Sequence, residues 1–179
     1  HKMKAIETIY NGYRFRSKLE AKWAVFFDQL GIRYEYEPEA FKVDNGWYTP
    51  DFFLPNVCLR YADTIGVYLE IKPTAWEYDR PYVDRISKAA NGMPLLLLPG
   101  DPLEFVDYGY GTEGGYQVSP GWDNCMIMVW CPDCCSLKFE FSEGNYMYCP
   151  HCNSQRCVST LSAAASIARQ HRFAHSIPA

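Results

Sequence analysis

The strongest constraint on how this chain folds lies near its C-terminal end. Cys131-Pro132-Asp133-Cys134 is followed, after fourteen residues, by Cys149-Pro150-His151-Cys152. Each pair can form a tight turn that aims two thiolates at one point, and two such turns on a hairpin close a tetrahedral Zn²⁺ site. Leu137 to Phe141, between the pairs, alternates as a hairpin strand requires. Four sulfurs leave no open coordination position, so Cys131, Cys134, Cys149 and Cys152 predict structural rather than catalytic zinc. Metal binding would supply folding energy that so small a module cannot draw from its own core. Cys125, Cys135 and Cys157 could substitute as ligands but are spaced less well for the same ion and are expected to be free. Paired cysteines with no secretory signal point to a reducing, cytoplasmic setting.

The chain has 179 residues, enough for one domain plus a small module. Hydrophobic residues make up 48%, which supports a core, yet no apolar run approaches the ~18 residues that span a bilayer. The formal charge of −4 argues against a protein that simply coats DNA. The charge is uneven: residues 1–36 sum to +3, residues 37–130 to −8 and residues 131–179 to +1. A basic first segment beside an acidic middle suits a phosphate-binding rim around a cation site, with Arg14, Arg16 and Lys18 as candidate phosphate contacts.

Hydrophobic patterning predicts a hairpin turning at Asn11-Gly12, then a helix opening at Ser17 with a stripe of Leu19, Trp23, Phe26, Phe27 and Leu30 and a cap at Gly31. Strands are expected at Ile32–Tyr36, Phe41–Val43, Trp47–Leu54 and Val67–Lys72, with a loop over residues 55–66. A helix over residues 80–91 leads to Leu95–Leu98, a strand without alternation and therefore covered on both faces. Residues 101–124, rich in Gly and Pro, read as a linker or loop, and an alanine-rich helix is expected over 159–173, capped by Ser159 or Thr160. The expected division is 3–100, then the linker, a cysteine module over 125–158 and the final helix.

Four residues in the first part carry chemistry. In Leu69-Glu70-Ile71-Lys72 the strand period puts Leu69 and Ile71 on one face and Glu70 and Lys72 on the other. Asp51 follows Pro50, which breaks a hydrogen-bonded ladder and lets the carboxylate turn toward a neighbouring strand. Two carboxylates brought together repel unless a cation compensates, and Mg²⁺ (or Mn²⁺) takes oxygen ligands while leaving room for a phosphate. Lys72 can orient or help deprotonate the attacking water. Glu20 has two readings, since Ser17-x-x-Glu20 is also a capping box.

Tyr48-Thr49-Pro50-Asp51-Phe52 with Leu69-Glu70-Ile71-Lys72 resembles the defining motif of the PD-(D/E)XK nuclease superfamily, and Arg16-Ser17-Lys18-Leu19-Glu20-Ala21 resembles its first-helix motif. Leu30 to Pro38 is similar to the helix-to-hairpin segment of phage, prophage and resolvase-like members. The resemblance covers about residues 10–100. It implies a restriction-endonuclease-like α/β fold, a mixed sheet flanked by helices. It also implies Asp51, Glu70 and the Ile71 carbonyl as metal ligands, Lys72 as catalytic lysine and Glu20 as accessory ligand. The eighteen residues between Asp51 and Glu70 exceed what a tight hairpin needs. The cysteine pattern resembles a zinc ribbon. The implied function is a Mg²⁺-dependent DNA endonuclease, with the ribbon helping to hold DNA and a homodimer as a possible assembly. Its rivals are an RNA nuclease of the same fold and a binding module on a nuclease scaffold.

Overall fold

A computed structural model describes residues 6–59, 65–74, 95–107, 115–119, 122–131, 133–134, 136–141, 152–154 and 161–174. The chain opens with a hairpin, β1 (Thr8–Tyr10) and β2 (Tyr13–Phe15). Its turn residues Asn11 and Gly12 both take positive φ, 48° and 81°, the geometry that matches strand twist in a two-residue turn. Helix α1 (Lys18–Gln29) follows, with Ser17 Oγ accepting the Glu20 backbone N–H at 3.1 Å. Gly31 ends it at φ 66°. The helix buries more than the expected stripe: Ala21, Ala24 and Val25 join Trp23, Phe26 and Phe27 inside. The cause is a second cover, because the C-terminal helix also packs on α1.

Next come β3 (Glu35–Tyr36), β4 (Phe41–Val43), β5 (Gly46–Tyr48), β6 (Phe52–Leu59) and β7 (Ile65–Lys72). The strand expected over Trp47–Leu54 is in fact two strands, broken at Thr49-Pro50-Asp51. Asp51 therefore stands at the entry of β6 rather than late in a continuous strand. The loop expected over 55–66 is also corrected, since β6 continues through Pro55 to Leu59 and β7 begins at Ile65. A register shift between Leu54 and Cys58 absorbs the proline.

Strand β8 (Leu95–Pro99) runs parallel to β7 and is buried throughout, as the lack of alternation required. The expected linker over 101–124 carries regular structure: helix α2 (Pro102–Asp107) and strand β9 (Gly115–Ser119). Glycine and proline punctuate the ends of these short elements, and their density hid them. Strands β10 (Trp122–Cys131) and β11 (Ser136–Phe141) form the cysteine hairpin, and α3 (Ser162–Gln170) closes the described chain. Helix α3 is shorter than expected and starts after Leu161 without a side-chain cap. The helix expected at 80–91 and the caps Ser159 and Thr160 lie outside the described residues.

The main sheet is mixed, ordered β11-β10-β9-β8-β7-β6-β3, and β11 also pairs with β6 in parallel, Lys138 opposite Cys58 and Phe139 opposite Leu59. Strands β6 to β11 thus close a hydrogen-bonded ring that includes the cysteine hairpin. The large core lies between this sheet and the helices, with Phe52, Leu54, Leu69, Leu96 and Leu98 meeting Trp23, Phe26 and Phe27. A smaller cluster of Tyr48, Tyr68 and Leu95 seats the β4–β5 ribbon on the opposite face. No described helix is long and apolar enough to cross a membrane.

Candidate active site

Antiparallel pairing of β6 with β7 sets Phe52 opposite Leu69, both in the core, so the preceding Asp51 comes beside Glu70. Asp51 is 3% exposed. Its Oδ2 accepts the Ile71 backbone N–H at 2.7 Å, and its Oδ1 pairs with Arg16 Nη2 at 2.7 Å. Burial, then repulsion from Glu70 and Glu20, pushes the Asp51 carboxyl well above the usual carboxylate range, despite the lowering effects of Ile71 N–H and Arg16. Asp51 and Glu70 are thus near enough to repel through the site.

Glu70 and Lys72 share a face, as strand alternation dictates, while Leu69 and Ile71 turn into the core. Lys72 Nζ lies 2.7 Å from Glu70 Oε1, and Tyr48 donates its hydroxyl to Glu70 Oε2 at 2.5 Å. Glu20 is held from two sides: Ser17 Oγ donates to Oε1 at 2.7 Å and Tyr36 to Oε2 at 2.6 Å. The Tyr36 hydroxyl also accepts the Arg16 backbone N–H at 2.9 Å. Arg16 further reaches Glu37 at 2.6 Å, so one guanidinium is shared between two acids.

Sequence reasoning missed Tyr36 and Tyr48 as partners of these carboxylates. Tyr36 alternates with Glu35 and Glu37, and Tyr48 lies three residues before Asp51, but neither position signals where its hydroxyl points. Arg16 stands in the site against Asp51, whereas Arg14 pairs with Glu7 on the surface and Lys18 is exposed. Trp76 and Tyr78, which the sequence offers more as core residues than as base-stacking platforms, lie outside the described residues.

As a set, Glu20, Asp51 and Glu70 do not bring one ligand atom each within 4.8 Å of one another; among the described residues Cys131, Cys134 and Cys152 do. The Sγ atoms of Cys131 and Cys152 are 3.6 Å apart. Zn–S bonds of about 2.3 Å in a tetrahedron place sulfurs about 3.8 Å apart. Burial works against ionisation of Cys131, but the backbone N–H groups of Cys134 and Asp133 and the neighbouring thiols hold its pKa below the usual thiol value. These three cysteines could hold a metal ion; Cys149 lies outside the described residues.

No protein-family model and no solved structure matches the chain. The chain is 39% identical over 69 residues to Endonuclease I of Escherichia phage T7, a match that takes in 36% of this chain and 40% of that protein. The chain thus spans well under half the length of this relative.

Proposed function

We propose that the protein is a Mg²⁺-dependent DNA endonuclease of the PD-(D/E)XK kind, with a restriction-endonuclease-like core and a zinc-bound cysteine hairpin that helps to hold DNA. The observation that carries this reading is the approach of two buried carboxylates from separate strands, Asp51 and Glu70, with the Lys72 ammonium against the second. Arg16 is divided between Asp51 and Glu37, and Asp51 still sits above its ordinary pKa. Cationic compensation from the chain itself is incomplete, which suits a divalent ion with oxygen ligands.

Asp51 and Glu70, with the Ile71 carbonyl, would hold Mg²⁺ or Mn²⁺. When bound, the ion lowers the pKa of a water and offsets charge developing on the phosphate. Lys72 would orient that water from its place beside Glu70. Arg16, more than half exposed at the rim, is placed to meet a phosphate. Glu20, occupied by Ser17 and Tyr36, fixes the start of α1 against the site and stands as an accessory ligand at most. Cys131, Cys134, Cys149 and Cys152 would enclose Zn²⁺.

Incubation with plasmid, forked DNA and RNA, with Mg²⁺ or with chelator, tests this reading. DNA cleavage that needs the cation and falls at least about a hundredfold in Glu70→Ala or Lys72→Ala is expected. Cleavage confined to RNA would replace the substrate, and binding without cutting in any divalent metal would remove the enzyme.

A further inference from the structure

The β4–β5 ribbon sits next to the carboxylates and has one covered and one open face. Phe41, Val43 and Tyr48 turn inward onto Tyr68, Leu95 and Phe53, with Phe41 and Tyr68 rings edge to face at 5.3 Å. Tyr48 reaches through that contact to Glu70. The open face presents Lys42 and Trp47, which the register sets directly opposite each other. Opposed residues of an antiparallel pair hold their Cβ atoms about 5 Å apart. Trp47 is 72% exposed, the most exposed large hydrophobic side chain among the described residues. A tryptophan gains nothing in the folded monomer by standing in water, whereas its ring is the strongest platform for a nucleobase or a cation. An ammonium beside it supplies charge for a phosphate.

We propose that this ribbon is a substrate-binding arm, in which Trp47 stacks on an unpaired base and Lys42 holds the adjoining phosphate. The inference rests on the nuclease reading for its ligand class and deepens it toward nucleic acid with locally single-stranded character. Tyr48 makes the arm and the carboxylate pair neighbours in one strand: the residue beside Trp47 donates to Glu70. Trp47 and Tyr48 point to opposite faces of β5, so a base on Trp47 would be held across the ribbon from Asp51 and Glu70, with the strand free to pass around the ribbon edge to them. Fully paired duplex offers no free base face for such a contact, so the arm favours forks, flaps, loops or frayed ends.

The test uses the full chain in chelator, so that nothing is cut. Probes are a fluorescent single-stranded oligonucleotide and one carrying 2-aminopurine. Trp47→Ala is expected to weaken binding about 5- to 150-fold, the range for losing one stacked base. Trp47→Phe should stay much closer to the parent. The 2-aminopurine signal should be quenched by the parent and Trp47→Phe, and left unquenched by Trp47→Ala. Lys42→Gln should lower the slope of log affinity against log salt by about 0.7, one phosphate contact on a single strand. Because both side chains are exposed, the melting temperature should not move. If Trp47→Ala binds and quenches like the parent while the parent cuts and Glu70→Ala does not, the arm falls and the nuclease stands. If the parent neither binds nor cuts any nucleic acid, both fall.

Discussion

Asp51 is where the competing forces in this molecule are easiest to separate. It has a guanidinium at 2.7 Å and a backbone N–H at 2.7 Å, yet its carboxyl holds its proton more tightly than an ordinary aspartate. Desolvation and two acidic neighbours outweigh both partners. A carboxyl whose pKa rises on folding costs the folded state stability as pH climbs past the unfolded pKa, and the cost is complete above the folded one. Asp51→Asn, in chelator, is therefore expected to melt higher than the parent at pH 8. The advantage should shrink as pH falls through the raised pKa and vanish below the ordinary value of 3.8, where both states of the parent are protonated. Melting curves across that range check the sign, and the same variant should lose cleavage. Gain of stability with loss of function is the pattern for a group retained for chemistry.

At the scale of elements, Asp101 ties three helices together. Its Oδ1 accepts the backbone N–H groups of Leu103 and Glu104 at 3.0 and 3.1 Å, capping α2. The same carboxylate takes Arg169 of α3 at 2.7 Å and Lys22 of α1 at 3.3 Å. Burial would raise its pKa, but hydrogen bonds from Arg169 and the Glu104 backbone and the charges of Lys22 and Arg169 bring it below the ordinary value. That stabilisation is present above pH 3.8 and lost as pH falls through the lowered pKa. Asp101→Ala removes the α2 cap and the carboxylate that Lys22 and the exposed Arg169 share, with Arg169 keeping Glu104 at 3.7 Å, so a loss of about 1–2 kcal/mol, or roughly 2–8 °C in Tm, is expected by calorimetry. The ties to Lys22 and Arg169 are not readable from the chain, because 79 and 68 positions separate them from Asp101, whereas its cap on α2 lies within three residues, in a stretch whose glycines and prolines read as a linker. Local signals did better. Asn11-Gly12, Ser17 with Gly31, and the unbroken Leu95–Leu98 run each specify backbone geometry within a few residues, and the structure follows them. In the site, alternation alone put Glu70 and Lys72 on one face. The hydroxyls of Tyr36 and Tyr48 depend on strand pairing that no short window contains.

Over the whole molecule, the cysteine hairpin is continuous with the rest rather than appended to it. Strand β10 follows β9 in the main sheet, and β11 returns to β6, the strand that Asp51 opens. On the proposed zinc reading, loss of the ion from Cys131, Cys134 and Cys152 should therefore lower one cooperative transition instead of melting a separate module. Cys152→Ser is expected to reduce bound zinc from about one per chain, measured by metal analysis, and to lower that single Tm by several degrees. Two resolved transitions, or unchanged zinc, would contradict this coupling. The circular ladder has a consequence for anyone dissecting the protein. A shortened chain ending before Trp122 would not be a free-standing unit, because it would leave Cys58 and Leu59 on a bare strand margin inviting pairing with other molecules. Any segment swapped in for the cysteine hairpin must bring its own strand to cover that margin, whatever its metal chemistry.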